Sequence, residues 1–158
     1  MSFQVHAISR DVLERAREQG AEPGRTDSAR VAAEGGEQLR CCLRNARAGE
    51  QVLLFNYEPP MPPSPYREVG AVFAHAATCE GAGAGGGGYP DDWRGRAQVL
   101  RAYDRRGWIH PNTRVHDGAD PEAAIAAVFA DPEVVQVHSR NVAYGCFAFV
   151  ITRAGGHG

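Results

Sequence analysis

Near the C-terminus an imidazole and a thiol, His138 and Cys146, flank an apparent turn in "VHSRNVAYGC". If Ser139 faces Gly145 across that hairpin, Val137 pairs with Phe147, Val135 with Phe149, and His138 lies directly opposite Cys146. Opposed β-carbons in a sheet sit about 4.5–5.5 Å apart, close enough for an imidazole to favour thiolate for nucleophilic or redox chemistry. Asn141, within the turn, can orient His138 as an amide does in papain-like sites. The competing reading is structural: cysteine packs as a small apolar residue, a sheet histidine serves as a hydrogen-bonding group, and a bulged loop would separate the pair.

A second candidate is "SPYREVG", where Arg67 can clamp an anion and Tyr66 can stack on a ligand or donate to it. Against that stands a rigid loop, also containing Ser64, held by aromatic packing and a surface ion pair. Asp104 in "AYD" reads as a turn former before it reads as a general base. The four cysteines are Cys41, Cys42, Cys79 and Cys146, without C-x-x-C spacing. Adjacent Cys41 and Cys42 on a strand would point to opposite faces, so at most one would join a site. His110 with His116, and His75 with Cys79, specify no metal set by spacing, and no metal is expected on that basis. Neither G-x-S-x-G nor H-E-x-x-H occurs.

Composition narrows the chemistry further. The net charge is -2 and all 17 basic residues are arginine, scattered along the chain. Without lysine, Schiff-base catalysis by this chain and the lysine-containing phosphate loop are excluded, and no basic run marks a nucleic-acid footprint. At 43% hydrophobic residues, with no apolar run near the roughly 20 residues of a membrane helix, the chain reads as soluble. "MSFQVHAISRD" lacks a secretion signal, so the expected compartment is the cytoplasm, with free thiols.

The positioning elements follow from periodicity. "FQVHAIS" reads as a strand, and a short helix follows with Ser9 as N-cap, Val12, Leu13 and Ala16 on one face and Gly20 as terminator. "ARVAAE", "LRCCLRN" and "EQVLLFNY" read as three strands of a meander, separated by glycines. A proline-rich rim segment, "EPPMPPSPY", precedes a strand at "GAVFAHA". "QVLRAYDRRGWIH" predicts a hairpin with Asp104 and Gly107 in a type I turn. "DPEAAIAAVFADP" predicts a second helix, capped by Asp120, opened by Pro121 and buried through Ile125, Val128 and Phe129. Two strands, "EVVQVHS" and "GCFAFVITR", complete an α+β plan: a mainly antiparallel sheet with two short helices in a single compact domain over residues 1–153.

Two glycine-rich stretches stand apart from that plan. "GAGAGGGGYP", with Gly81, Gly83 and Gly86 at G-x-G-x-x-G spacing, lacks the flanking strand, helix and acidic residue of a dinucleotide site and reads as a flexible loop near residues 80–90. Residues 154–158 read as a disordered tail.

"LRCCLRNARAGEQVLLFNYE", "SPYREVGAVF", "LRAYDRRG" and "FADPEVVQVHSRNVAYGC", in this order, resemble the bacterial family catalogued as domain of unknown function 1203, with the glycine-rich insertion as the departure. The resemblance implies a compact bacterial domain and brings no activity, cofactor or catalytic residue with it. Three functions of different class remain open. The first is binding of a small, anionic molecule by the Tyr66/Arg67 loop and the final hairpin, including Asn141. The second is an enzyme with Cys146 as nucleophile or redox thiol and His138 as base. The third is an interaction module presenting "PPMPPSP" or a sheet edge to a partner protein. Nucleic acid and membrane are not expected as partners, and no cofactor is indicated.

Overall fold

Alternation and capping place the elements of the computed structural model, which describes residues 1–79, 81 and 87–155. The strands are β1 (Phe3–His6), β2 (Ser28–Ala32), β3 (Gln38–Leu39), β4 (Arg44–Asn45), β5 (Gln51–Tyr57), β6 (Gly70–His75), β7 (Gln98–Tyr103), β8 (Arg114–His116), β9 (Gln136–Asn141) and β10 (Phe147–Arg153). Helix α1 spans Arg10–Gly20, with the Ser9 hydroxyl accepting from the Val12 N–H. Helix α2 spans Pro121–Val128, with the Asp120 carboxylate accepting from the Ala123 N–H and Pro121 filling a position that needs no donor. Among the described residues no helix is long and apolar enough to cross a membrane.

The strands form two five-stranded sheets, ordered β1-β10-β9-β7-β8 and β2-β5-β6-β3-β4. All pairings are antiparallel except β3 with β6, where Leu39 lies opposite Phe73. The protein is a compact α+β fold, as its periodicities predict, but the sheet is divided in two. The expected meander is also rearranged: β3 and β4 lie beyond β6, and β5 joins β2 directly to β6.

Burial explains the division. Adjacent residues of β5, Val52 and Leu53, are both fully buried, as are alternating and neighbouring positions along β10, so both strands are covered on both faces. One core unites Leu13 and Ala16 of α1 with Leu53, Phe55 and Val72 of the second sheet and with Phe147 and Val150 of β10. The other packs Ile125 and Val128 of α2, Phe129, Trp93 and Phe149 onto the opposite side of the first sheet. The Tyr57 and Phe147 rings, with centroids 5.6 Å apart, bridge the sheets.

The glycine-rich reading falls on residues 80 and 82–86, and part of the tail reading on 156–158, all outside the described residues. Just beyond the first stretch, the Gly87 carbonyl accepts from the Val5 N–H at 2.7 Å, and near the C-terminus the Ala154 N–H donates to Ser2.

Candidate metal and thiol centre

The last hairpin does not adopt the register that would oppose His138 and Cys146. Val150 lies opposite His138, Ile151 opposite Val137, and Phe147 opposite Arg140, with a bulge between Phe147 and Phe149. The bulge adds a residue to one strand and changes its parity, so Cys146 instead meets the end of β9, where its carbonyl accepts from the Asn141 N–H at 2.8 Å. No hydrogen bond joins the His138 ring to the Cys146 thiol.

His138 is 2% exposed and packs between Tyr103 and Phe147, at ring-centroid distances of 4.7 and 5.4 Å. Its Nε2 meets Gln136 Oε1 at 3.0 Å. Burial, with Arg140 nearby, pushes its pKa down to about 4, so the ring is neutral over the physiological range. Asn141 is also committed. Its amide donates to Gln38 Oε1 at 2.6 Å and accepts from Gln98 Nε2 at 2.8 Å, linking β9 to β3 across the two sheets.

The Tyr66/Arg67 loop adopts its packed form. Tyr66 stacks edge-on against Trp108 at 5.8 Å, Ser64 Oγ donates to the Gly107 carbonyl, and Arg67 pairs with Glu58 at 2.5 Å. Asp104 closes the 104–107 turn, its carbonyl accepting from Gly107 and its carboxylate from the Arg106 and Trp108 N–H groups.

The fold gathers a different set of chemical groups. Instead of continuing one strand, "LRCCLRN" turns back on itself: Leu43, with φ +55°, lets its N–H donate to the Leu39 carbonyl at 2.9 Å, making a tight β3–β4 hairpin. Cys41 and Cys42 therefore sit in a turn, not on opposite faces of a strand. The parallel β3–β6 pairing, reinforced by the Arg40 N–H donating to Phe73, brings that turn beside His75 at the end of β6. The Arg40 guanidinium, buried and donating to the Phe147 carbonyl at 2.7 and 2.9 Å, ties the same turn to β10.

Cys79 follows on the segment leaving β6. The sulfurs of Cys41, Cys42 and Cys79 and a ring nitrogen of His75 all lie within 4.8 Å of one another. Cys41 Sγ is 3.8 Å from Cys42 Sγ, and His75 Nδ1 is 3.4 and 3.7 Å from those two sulfurs. A tetrahedral zinc ion with sulfur ligands at about 2.3 Å and nitrogen at about 2.0 Å has ligand–ligand edges of about 3.5–3.8 Å. The three separations among Cys41, Cys42 and His75 lie close to that figure, and Cys79 Sγ lies within 4.8 Å of the other ligand atoms.

Surrounding groups orient the histidine. Its Nε2 lies 3.0 Å from Glu50 Oε2, which places the proton on Nε2 and leaves the Nδ1 lone pair aimed at the sulfurs. Arg44 donates through Nη1 and Nη2 to both Glu50 oxygens at 2.9 and 2.8 Å. Its 3.1 Å approach to Nε2 is therefore proximity and not a second donation. Those bonds, with the Arg47 N–H, hold the Glu50 carboxyl far below the usual carboxylate range. The His75 N–H donates to Cys41 Sγ at 3.2 Å. In this hydrogen-bonded group the Cys41 thiol is pushed up by its bond to Cys42 and by burial, while the same bond pushes Cys42 down.

A second group, His110 with Asp131 and Glu133, resembles a ligand set only by proximity. His110 Nδ1 accepts from the Asn112 N–H, so Nε2, which faces Asp131 at 3.3 Å, carries the proton and has no lone pair for a cation.

Residues 36–153 match the family model described as protein of unknown function DUF1203. The chain belongs to that family. No curated protein and no solved structure matches it. All four candidate ligands, with Arg44 and Glu50, lie within the stretch shared with DUF1203. Sequence reasoning had Cys41, Cys42, His75 and Cys79 in view but no reason to join them. Sequence spacing pairs Cys41 with Cys42 and His75 with Cys79 but does not join the two pairs, and no turn residue announces the hairpin that presents the first pair.

Proposed function

We propose that this DUF1203 protein is a zinc-binding domain, with Cys41, Cys42, Cys79 and His75 Nδ1 as the ligands. The observation that carries the reading is a complete soft donor set, three sulfurs and one imidazole nitrogen within 4.8 Å, whose histidine is oriented by a carboxylate. Four protein ligands fill a tetrahedron and leave no open position for a reacting water, which favours a structural or sensing role over hydrolysis. The thiolates require a reducing compartment, in keeping with a bacterial cytoplasmic location and with the four free cysteines.

The small-anion and Cys146 enzyme readings have less support. Arg67 and Tyr66 are engaged with Glu58 and Trp108, and clefts of about 540 and 520 Å³ lie elsewhere, over Asp104–Arg106 and over Cys42–Arg44. No specific observation favours the interaction-module reading.

Cobalt(II) tests the proposal through its own spectrum. The metal-free protein titrated with cobalt is expected to give the intense visible bands of a tetrahedral site and sulfur-to-cobalt charge transfer, saturating at about one equivalent. His75→Ala and Cys79→Ser should weaken or lose them. Weak octahedral bands, or full-strength bands in both variants, would reject this ligand set.

A further inference from the structure

The four ligand candidates differ in how they meet solvent. Cys41 is 2% exposed, whereas Cys42 is half-buried and lines the cleft of about 520 Å³ with Leu43, Arg44, Gly87 and Tyr89. A small solute therefore has a path to Cys42 but not to Cys41. Cys79 is also half-buried and follows β6 on a segment outside any strand or helix, so its backbone can shift without breaking a sheet ladder. Its sulfur is within 4.8 Å of the other ligand atoms.

We infer that, when free of metal, Cys42 and Cys79 form a peroxide-oxidisable thiol pair, with Cys42 as the attacked residue and Cys79 as its resolving partner. The Cys42 thiolate sulfur attacks one oxygen of a hydroperoxide and the O–O bond breaks. For hydrogen peroxide this gives the Cys42 sulfenic acid and a hydroxide ion that leaves as water. The Cys79 thiolate then attacks the sulfenic sulfur, forming the S–S bond and expelling the second oxygen, also as water. Two thiols lose two electrons in total and one peroxide is reduced to two waters.

Backbone geometry selects Cys79 over Cys41 as the partner. Adjacent residues across a trans peptide have Cα atoms about 3.8 Å apart, short of the roughly 4.4–6.8 Å that an ordinary disulfide spans. Cys41 and Cys42 are neighbours in the chain, so a bridge between them would distort the turn, whereas the Cys79 sulfur, within 4.8 Å of the Cys42 sulfur, belongs to a separate segment free of that constraint.

The inference concerns the same four side chains as the zinc reading and rests on it for one consequence. A Cys42–Cys79 bridge removes two of the four ligands, so bound zinc and the disulfide exclude each other. Zinc protects the thiols, and peroxide drives release of the ion until a thiol reductant restores the site.

The test uses the full chain, stripped of metal by a chelator and treated with hydrogen peroxide. Remaining thiols are blocked, the chain is cut with trypsin, and mass spectrometry seeks the tryptic peptide Cys41–Arg44 joined by a disulfide to the peptide spanning 68–94. The bridge is expected in the wild type and in Cys41→Ser, and is expected to be absent from Cys42→Ser and Cys79→Ser. Saturating zinc should slow its formation at least about tenfold. Circular dichroism of each variant confirms folding, and Cys41→Ala replaces Cys41→Ser if the latter is unfolded.

A bridge that survives in Cys42→Ser, or none in the wild type, overturns the inference. Formation at the same rate with saturating zinc overturns the mutual exclusion. Failure of the zinc reading looks different: the bridge forms in the expected variants, but the protein takes up no zinc. Uptake of zinc without a peroxide bridge leaves the zinc reading standing and this inference rejected.

Discussion

At the residue scale, Glu50 is the clearest test of how the centre is tuned. It binds no ion in this account, but it fixes the His75 tautomer and is itself held by both terminal guanidinium nitrogens of Arg44. Partners of that kind are worth about 10–100-fold in metal affinity, so Glu50→Gln should weaken zinc binding by that factor in a chelator competition while the one-to-one stoichiometry persists. Unchanged affinity would mean that the carboxylate is only a surface partner of Arg44. His138 makes an opposite kind of prediction, about stability alone. Its folded pKa of about 4 lies below the ordinary 6.5, so as pH falls from 6.5 the unfolded chain takes up a proton before the folded one. The stability tied to its neutral form is complete above about pH 6.5 and is lost as pH falls toward 4, on the order of 3 kcal/mol over that window. Urea unfolding of wild type and His138→Gln should therefore converge in acid relative to neutral pH. A gap constant with pH would show that His138 takes up its proton equally in both states.

At the element scale, the two hairpins decide which groups meet. The β9–β10 connection carries Ala143 at φ +74°, a left-handed conformation costing an L-residue about 1–2 kcal/mol. Its side chain is exposed, so Ala143→Gly should raise unfolding free energy by about 0.5–1 kcal/mol after the glycine's extra chain entropy, and a loss would show that the strain is relieved some other way. Asn141 ties β9 to β3, so Asn141→Ala, which strands the Gln38 and Gln98 amides, should cost about 1–3 kcal/mol in the same measurement. A cost near zero would mean that water replaces the bridge. Much of the plan was legible in the sequence because it is local. Ser9 and Asp120 announce their helices, and the short apolar runs in "QVLLFNY" and "FAFVITR" announce β5 and β10 as strands buried on both faces. The centre was not legible for a physical reason. A leucine with positive φ, Leu43, makes the turn that gathers Cys41 and Cys42, and no glycine, asparagine or aspartate signals it. The bulge that separates His138 from Cys146 is equally invisible, since one added residue alters parity without altering composition.

At the scale of the whole molecule, the centre lies where three stretches of chain end together: the β3–β4 turn, the end of β6, and the segment at Cys79. An ion there would join segments that the cores secure only in part, and its binding energy would appear as folding energy. Zinc at about a thousand times its dissociation constant should add about 4 kcal/mol to apparent stability, seen as a rise in Tm by calorimetry and reversed by a chelator. The four candidate ligands lie inside residues 36–153, the stretch that matches the DUF1203 model. The most direct measurement is the zinc content of the folded protein after exhaustive dialysis against a weak chelator, by elemental analysis, for wild type and for Cys41→Ser, Cys42→Ser, Cys79→Ser and His75→Ala. The account expects about one zinc per chain in the wild type and a loss of retained zinc in each variant. A wild type that retains none, or variants that retain as much as it does, would contradict it.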